Sequence, residues 1–102
     1  MEQKLYIVHD SKSETYTAPT VHPARGQAIR SFSDAVNGGE GVLSQHPADF
    51  TLFEIGEFNP STGEIGLYES RQSIVNGIDV KEDYIEPSRQ LDIEDHIKKV
   101  SN

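Results

Sequence analysis

The sequence predicts a small α+β domain, order β-β-α-β-β, with one helix packed on a face of an antiparallel sheet. Three observations carry that prediction. "KLYIVHD" near the start alternates with the two-residue period of a strand. "HPARGQAIRSFSDAVNGG" carries apolar residues at the three- and four-residue steps of one helix face. "TLFEIGEF" and "EIGLYES" flank "NPSTG", whose Asn, Pro and Gly favour a tight reversal. Strands joined by short turns pair antiparallel, and such a sheet needs only one face covered.

In the first strand Leu5, Ile7 and His9 point one way, and Lys4, Tyr6 and Val8 the other. "SKSE" is a polar turn and "TYTAPTV" a returning strand. Pro19 donates nothing to a ladder, so that strand is an edge or is broken near its middle. The helix stripe is Ala28, Ile29, Phe32, Ala35 and Val36. Pro23 suits a first turn, while Gly26 weakens it and allows a start as late as Gln27. Gly38 or Gly39, after Asn37, supplies a left-handed stop. "GEGVLSQHPADF" reads as a loop. In the hairpin, Gly63 takes the positive φ that a bulged turn requires. The expected core is Leu5, Ile7, Ile29, Phe32, Val36, Phe53, Ile55, Ile65 and Leu67.

Beyond Ser70 the periodicity weakens. "RQSIVNGIDV" reads as a minor hairpin around Asn76 and Gly77, and "LDIEDHIKKV" as a short helix over 91–100 or a partner-binding tail. The chain therefore divides into a compact domain over 1–70 and an acidic, partly ordered extension over 71–102. Its 102 residues suffice for one modest core. A mean hydropathy of −0.57 places part of the chain outside that core.

The net charge of −8 is uneven. Residues 1–36 are neutral, and residues 37–102 carry the whole excess. A nucleic-acid contact would therefore use the N-terminal part, through Lys4, Tyr6, Lys12, Tyr16, Arg25 and Arg30. Tyrosines between cations can stack unpaired bases while the cations meet phosphate. The competing reading makes the cations solubilisers and Tyr6 part of a partly covered sheet face. The acidic residues Asp79, Glu82, Asp83, Glu86, Asp92, Glu94 and Asp95 would suit a basic partner surface.

Reactive chemistry finds little support. Without cysteine there are no disulfides, thiolate nucleophiles or sulfur-ligated zinc. His9, His22, His46 and His96 are far apart, and none has a second His or a carboxylate at zincin spacing. No nucleophile elbow occurs, and the glycines of "NGGEG" follow a helix, whereas a phosphate cradle precedes one. Glu54, Glu57, Glu64 and Glu69 surround one hairpin but split between faces and ends, which reads as solvated edge. We expect no enzyme, metal or cofactor. No apolar run approaches the ~20 residues of a membrane span, and the first residues lack the apolar core of a signal peptide.

"AIRSFSDAVN", followed by "HPADFTLFEIGEFNPSTGEI", resembles the small nonstructural protein of gokushovirus-type microviruses, single-stranded DNA phages of bacteria. The shared elements are a strand with Tyr6, the helix segment 28–32, the loop 46–50, and a turn with Thr62 and Gly63. They span about residues 4–68; the acidic stretch has no counterpart. The resemblance implies a protein outside the virion, in the host bacterial cytoplasm, associated with viral DNA replication or packaging. Its partner would be single-stranded DNA or a viral or host replication protein. A host-directed protein binder using the acidic region is the alternative, and a homo-oligomer is compatible with either.

Overall fold

A computed structural model describes residues 2–82. It shows a small antiparallel sheet of five strands and, among the described residues, three α-helices: an α+β fold. The strands are β1 (Gln3–Asp10), β2 (Thr15–Tyr16), β3 (Thr20–His22), β4 (Phe50–Phe58) and β5 (Ile65–Asn76). The helices are α1 (Arg25–Val36), α2 (Gly41–Gln45) and α3 (Gly77–Val80), with a 3-10 turn at Pro47–Asp49.

β1 lies inside the sheet. Both β2 and β3 pair along one edge of it, β4 along the other, and β5 lies outside β4. Pro19 explains the split return strand, because a residue without an N–H interrupts the ladder between β2 and β3. α1 begins at Arg25, two residues after Pro23, and Gly26 lies inside its first turn. At its other end the Asn37 amide donates to the Ser33 carbonyl at 2.9 Å, and Gly39 takes the left-handed φ of 81°. Gly63 has φ 78°, as the hairpin turn requires.

The two faces of the sheet are the reverse of the expectation. The helix-covered face is built from Tyr6 of β1 and Phe50 and Leu52 of β4, packed on Ala28, Phe32 and Val36 of α1. Leu5, Phe32 and Val36 are buried and Ile29 is half-buried, as expected. Ile7, Phe53 and Ile55, however, are half-buried on the opposite, open face. Ile65 and Leu67 are 61% and 70% exposed. The two-residue alternation holds along β4, where every second residue from Phe50 to Gly56 is buried, and a register change interrupts it in β5. The helix packs instead on the side that carries Tyr6 and Glu54, whose polar atoms are paired with each other there.

Three local differences follow from residues 41–80. The expected loop 39–50 contains α2 and the 3-10 turn. The expected minor hairpin is the end of β5 followed by α3, with the Asn76 side chain accepting from the Ile78 amide as an N-cap. The boundary expected at residue 70 falls inside β5, and Val80 packs against the core, so the compact unit extends past it. Asn37 ties this end down: its Nδ2 donates to the Val80 carbonyl at 2.9 Å and its Oδ1 accepts from the Glu82 amide at 2.8 Å. The helix read over 91–100 lies outside the described residues.

Candidate nucleic-acid interface

Two polar arrangements stand out, one on each face of the sheet. On the helix side Glu54 is 3% exposed. Its Oε1 accepts from the Tyr6 hydroxyl at 2.9 Å and from Arg25 Nε at 3.1 Å, and its Oε2 from the Tyr68 hydroxyl at 2.8 Å. Arg25 also donates to Gln72 Oε1 at 3.0 Å. A buried carboxylate is tolerated only with donors of this kind. Burial pushes the Glu54 carboxyl up, but hydrogen bonds from Arg25, Tyr68 and Tyr6, with the guanidinium charge, outweigh it. The group sits below its ordinary value. Burial and the neighbouring carboxylate raise the Tyr68 phenol to about 12, and push the Tyr6 phenol up in the same way. Glu54 is thus held ionised between protonated phenols. It fastens β1, β4, β5 and α1 at one point.

That bond also shapes the other face. Gly56 pairs with Leu67 and Glu54 with Gln72, so residues 68–71 of β5 bulge out opposite the single residue Ile55. Tyr68 pins the bulge inward, and Arg71 lies at its end. There the Arg71 guanidinium carbon lies 4.7 Å from the centre of the Tyr16 ring and 5.7 Å from that of Phe53. His9 lies 4.5 Å from Tyr16 and 6.4 Å from Phe53, centre to centre. Beside this cluster Ile7, Ile55 and Leu67 line an open groove of about 600 Å³. Tyr16 is 45% exposed. Among the described residues the Arg71 guanidinium makes no hydrogen bond or ion pair, so its five N–H donors are uncommitted. Glu69 lines the same groove, so its charge is mixed.

The residues expected to meet nucleic acid are therefore spread over the molecule. Tyr16 is on the open face, and Lys12 is in the exposed turn next to it. Tyr6 is fully buried beneath α1, so its ring has no surface to offer a base. Arg25 is committed to Glu54 and Gln72. Lys4 reaches Glu57 at 3.5 Å, and Arg30 is exposed on α1, behind the sheet. Sequence reasoning missed His9, Phe53 and Arg71. His9 and Phe53 shared the apolar row assigned to the core, whereas nothing in "YESRQ" signals a bulge that aims Arg71 back over two rings. Of the acidic set, Asp79 and Glu82 are exposed; Asp83, Glu86, Asp92, Glu94 and Asp95 lie outside the described residues. Among the described residues no three His, Asp or Glu side chains gather as metal ligands, and no helix is long and apolar enough to cross a membrane.

A family model described as phage ORF5 protein matches residues 3–80, from the first strand to the end of α3. No curated protein and no solved structure matches the chain.

Proposed function

The chain belongs to the phage ORF5 protein family, and from that premise we propose a non-enzymatic accessory protein that binds single-stranded DNA through its open sheet face. It acts during viral DNA replication or packaging in the host bacterial cytoplasm, in a phage of the gokushovirus-type microviruses that its sequence resembles. The observation that supports this reading is the uncommitted Arg71 guanidinium stacked over Tyr16 and Phe53. Unpaired bases stack on such rings whatever their identity, and a guanidinium beside them meets phosphate.

The net charge of −8 shapes how such a contact works. Long-range attraction to a phosphate backbone is absent, so stacking supplies most of the affinity and few counterions are released. With Arg71 and Lys12 as the cations, log K falls against log salt with a slope of about −1.4, from −0.7 per phosphate neutralised. Anisotropy of a labelled oligothymidylate, titrated at several salt concentrations, tests this. Weak binding with a shallow slope supports the reading. No binding at the lowest salt removes it, and a slope steeper than about −4 moves the contact to another, more basic partner surface.

The exposure of Ile65 and Leu67 favours a second reading, a protein partner on the same face. A viral or host replication protein fits that role. The host-directed alternative would use the acidic residues, of which Asp79 and Glu82 are on the described surface. Affinity capture from infected cells with and without nuclease separates the two ligand classes.

A further inference from the structure

On the helix side a second groove, of about 500 Å³, runs between α1, β3 and the segment 17–20. Ala28, Phe32 and Ala35 form one wall, Val21 and Ala18 the other, and Leu43 of α2 closes an end. Among the described residues no Asp, Glu, Lys or Arg lines it, on a chain of which a quarter of the residues are charged. Val21 is 40% exposed there. Apolar surface of this kind gains by being covered.

The path of the chain says what can cover it. Lys81 Nζ donates to the Val36 carbonyl and to Ser44 Oγ, both at 3.3 Å, and the Glu82 amide to Asn37. Val36 follows Ala35 and Ser44 follows Leu43, so the chain passes beside the closed end of the groove. Residues 83–102 come next. Within them Ile93, Ile97 and Val100 stand at i, i+4 and i+7, the spacing that one face of a helix gathers. Between Glu82 and Ile93 the chain can extend roughly 35 Å, against about 10 Å of α1 from Ala28 to Ala35.

We infer that this groove is the docking seat of the chain's own segment 91–100, with Ile93, Ile97 and Val100 inserted between α1 and β3. An uncharged slot admits the apolar stripe and turns Asp92, Glu94 and Asp95 outward, since burying an unpaired carboxylate there is costly. The acidic surface then lies on the helix side. The open sheet face, with Tyr16 and Arg71, stays uncovered.

Because the chain has no cysteine, Ser101→Cys gives the full-length protein a single attachment point for a nitroxide. Paramagnetic broadening of its NMR signals is then read without DNA. The inference predicts strong broadening at Ala18, Val21, Ala35 and Leu43, little at Ile7 and Leu67, and loss of the groove effect on adding Ile97→Glu. Uniform weak broadening, or broadening centred on the open sheet face, would overturn it. So would groove broadening that appears only when spin-labelled unlabelled-isotope protein is mixed with isotope-labelled protein, since a second copy would then be the occupant.

Discussion

Arg25 Nε lies 3.1 Å from Glu54 Oε1, joining the first turn of α1 to the middle of β4. The two ends of this bond differ sharply, because the Arg25 side chain is 52% exposed and that of Glu54 is 4% exposed. Water solvates the guanidinium if the pair is broken, whereas the carboxylate depends on its protein donors. Glu54→Leu leaves the buried Tyr6 hydroxyl without its acceptor and is expected to destabilise the domain by about 2–4 kcal/mol. Arg25→Gln leaves the carboxylate its two phenol donors and vacates a side that water can reach, so it should cost about 1 kcal/mol or less. Urea unfolding of the two variants checks the asymmetry; equal losses would refute it.

Removing a single phenol tests the same point more gently. Tyr6→Phe keeps the ring against Ala28 and Phe32 but deletes one donor to a charged acceptor. A loss of roughly 1.5–3 kcal/mol is expected. Tyr68→Phe should cost less, because Tyr68 is more exposed and water can replace it. It should also loosen the bulge 68–71, seen as faster amide exchange at Ser70 and Arg71.

The network sets a pH window for stability. Glu54 titrates below its ordinary value in the folded protein, so its contribution is complete above the unfolded carboxylate pKa of about 4.3. That contribution is lost as pH falls through the lower folded value. Tyr68, raised to about 12, contributes fully below the unfolded phenol pKa of about 10 and loses that contribution as pH rises toward 12. Tyr6 is raised too and acts in the same direction. Unfolding midpoints against pH should fall at both extremes. In Glu54→Gln the acid limb should flatten, and the Tyr68 phenol should titrate closer to its ordinary value.

Much of this was legible in the sequence, and the failures have particular causes. The β1 alternation, the α1 stripe and the Asn59–Gly63 turn are local patterns, and the structure follows them. The identity of the covered face is not local. Glu54 enters the interior because Tyr6, Tyr68 and Arg25, far apart in the chain, converge on it. A hydrophobic-period count gives a buried carboxylate no credit for such partners. The open-face cluster was missed for a related reason, since Arg71 reaches Tyr16 only through a register change in β5.

Close backbone approach gives a separate expectation. A Cβ on Gly77 would run into the Pro47 carbonyl, where α3 meets the 3-10 turn. Gly77→Ala should therefore cost about 1–3 kcal/mol through forced displacement. Gly66 is the control, with nothing among the described residues near its absent Cβ, and Gly66→Ala should stay within about 0.5 kcal/mol of the parent. Thermal melts of both decide the matter, and similar values would contradict this packing.

The account rests most heavily on the open sheet face as a place where bases stack. The direct measurement is low-salt oligothymidylate affinity for Tyr16→Ala and Arg71→Ala beside Arg30→Ala. Each of the first two should weaken binding by about 1–3 kcal/mol, while Arg30→Ala, behind the sheet, should leave it nearly unchanged. Parent-like affinity in Tyr16→Ala and Arg71→Ala, with loss in Arg30→Ala, would contradict the account.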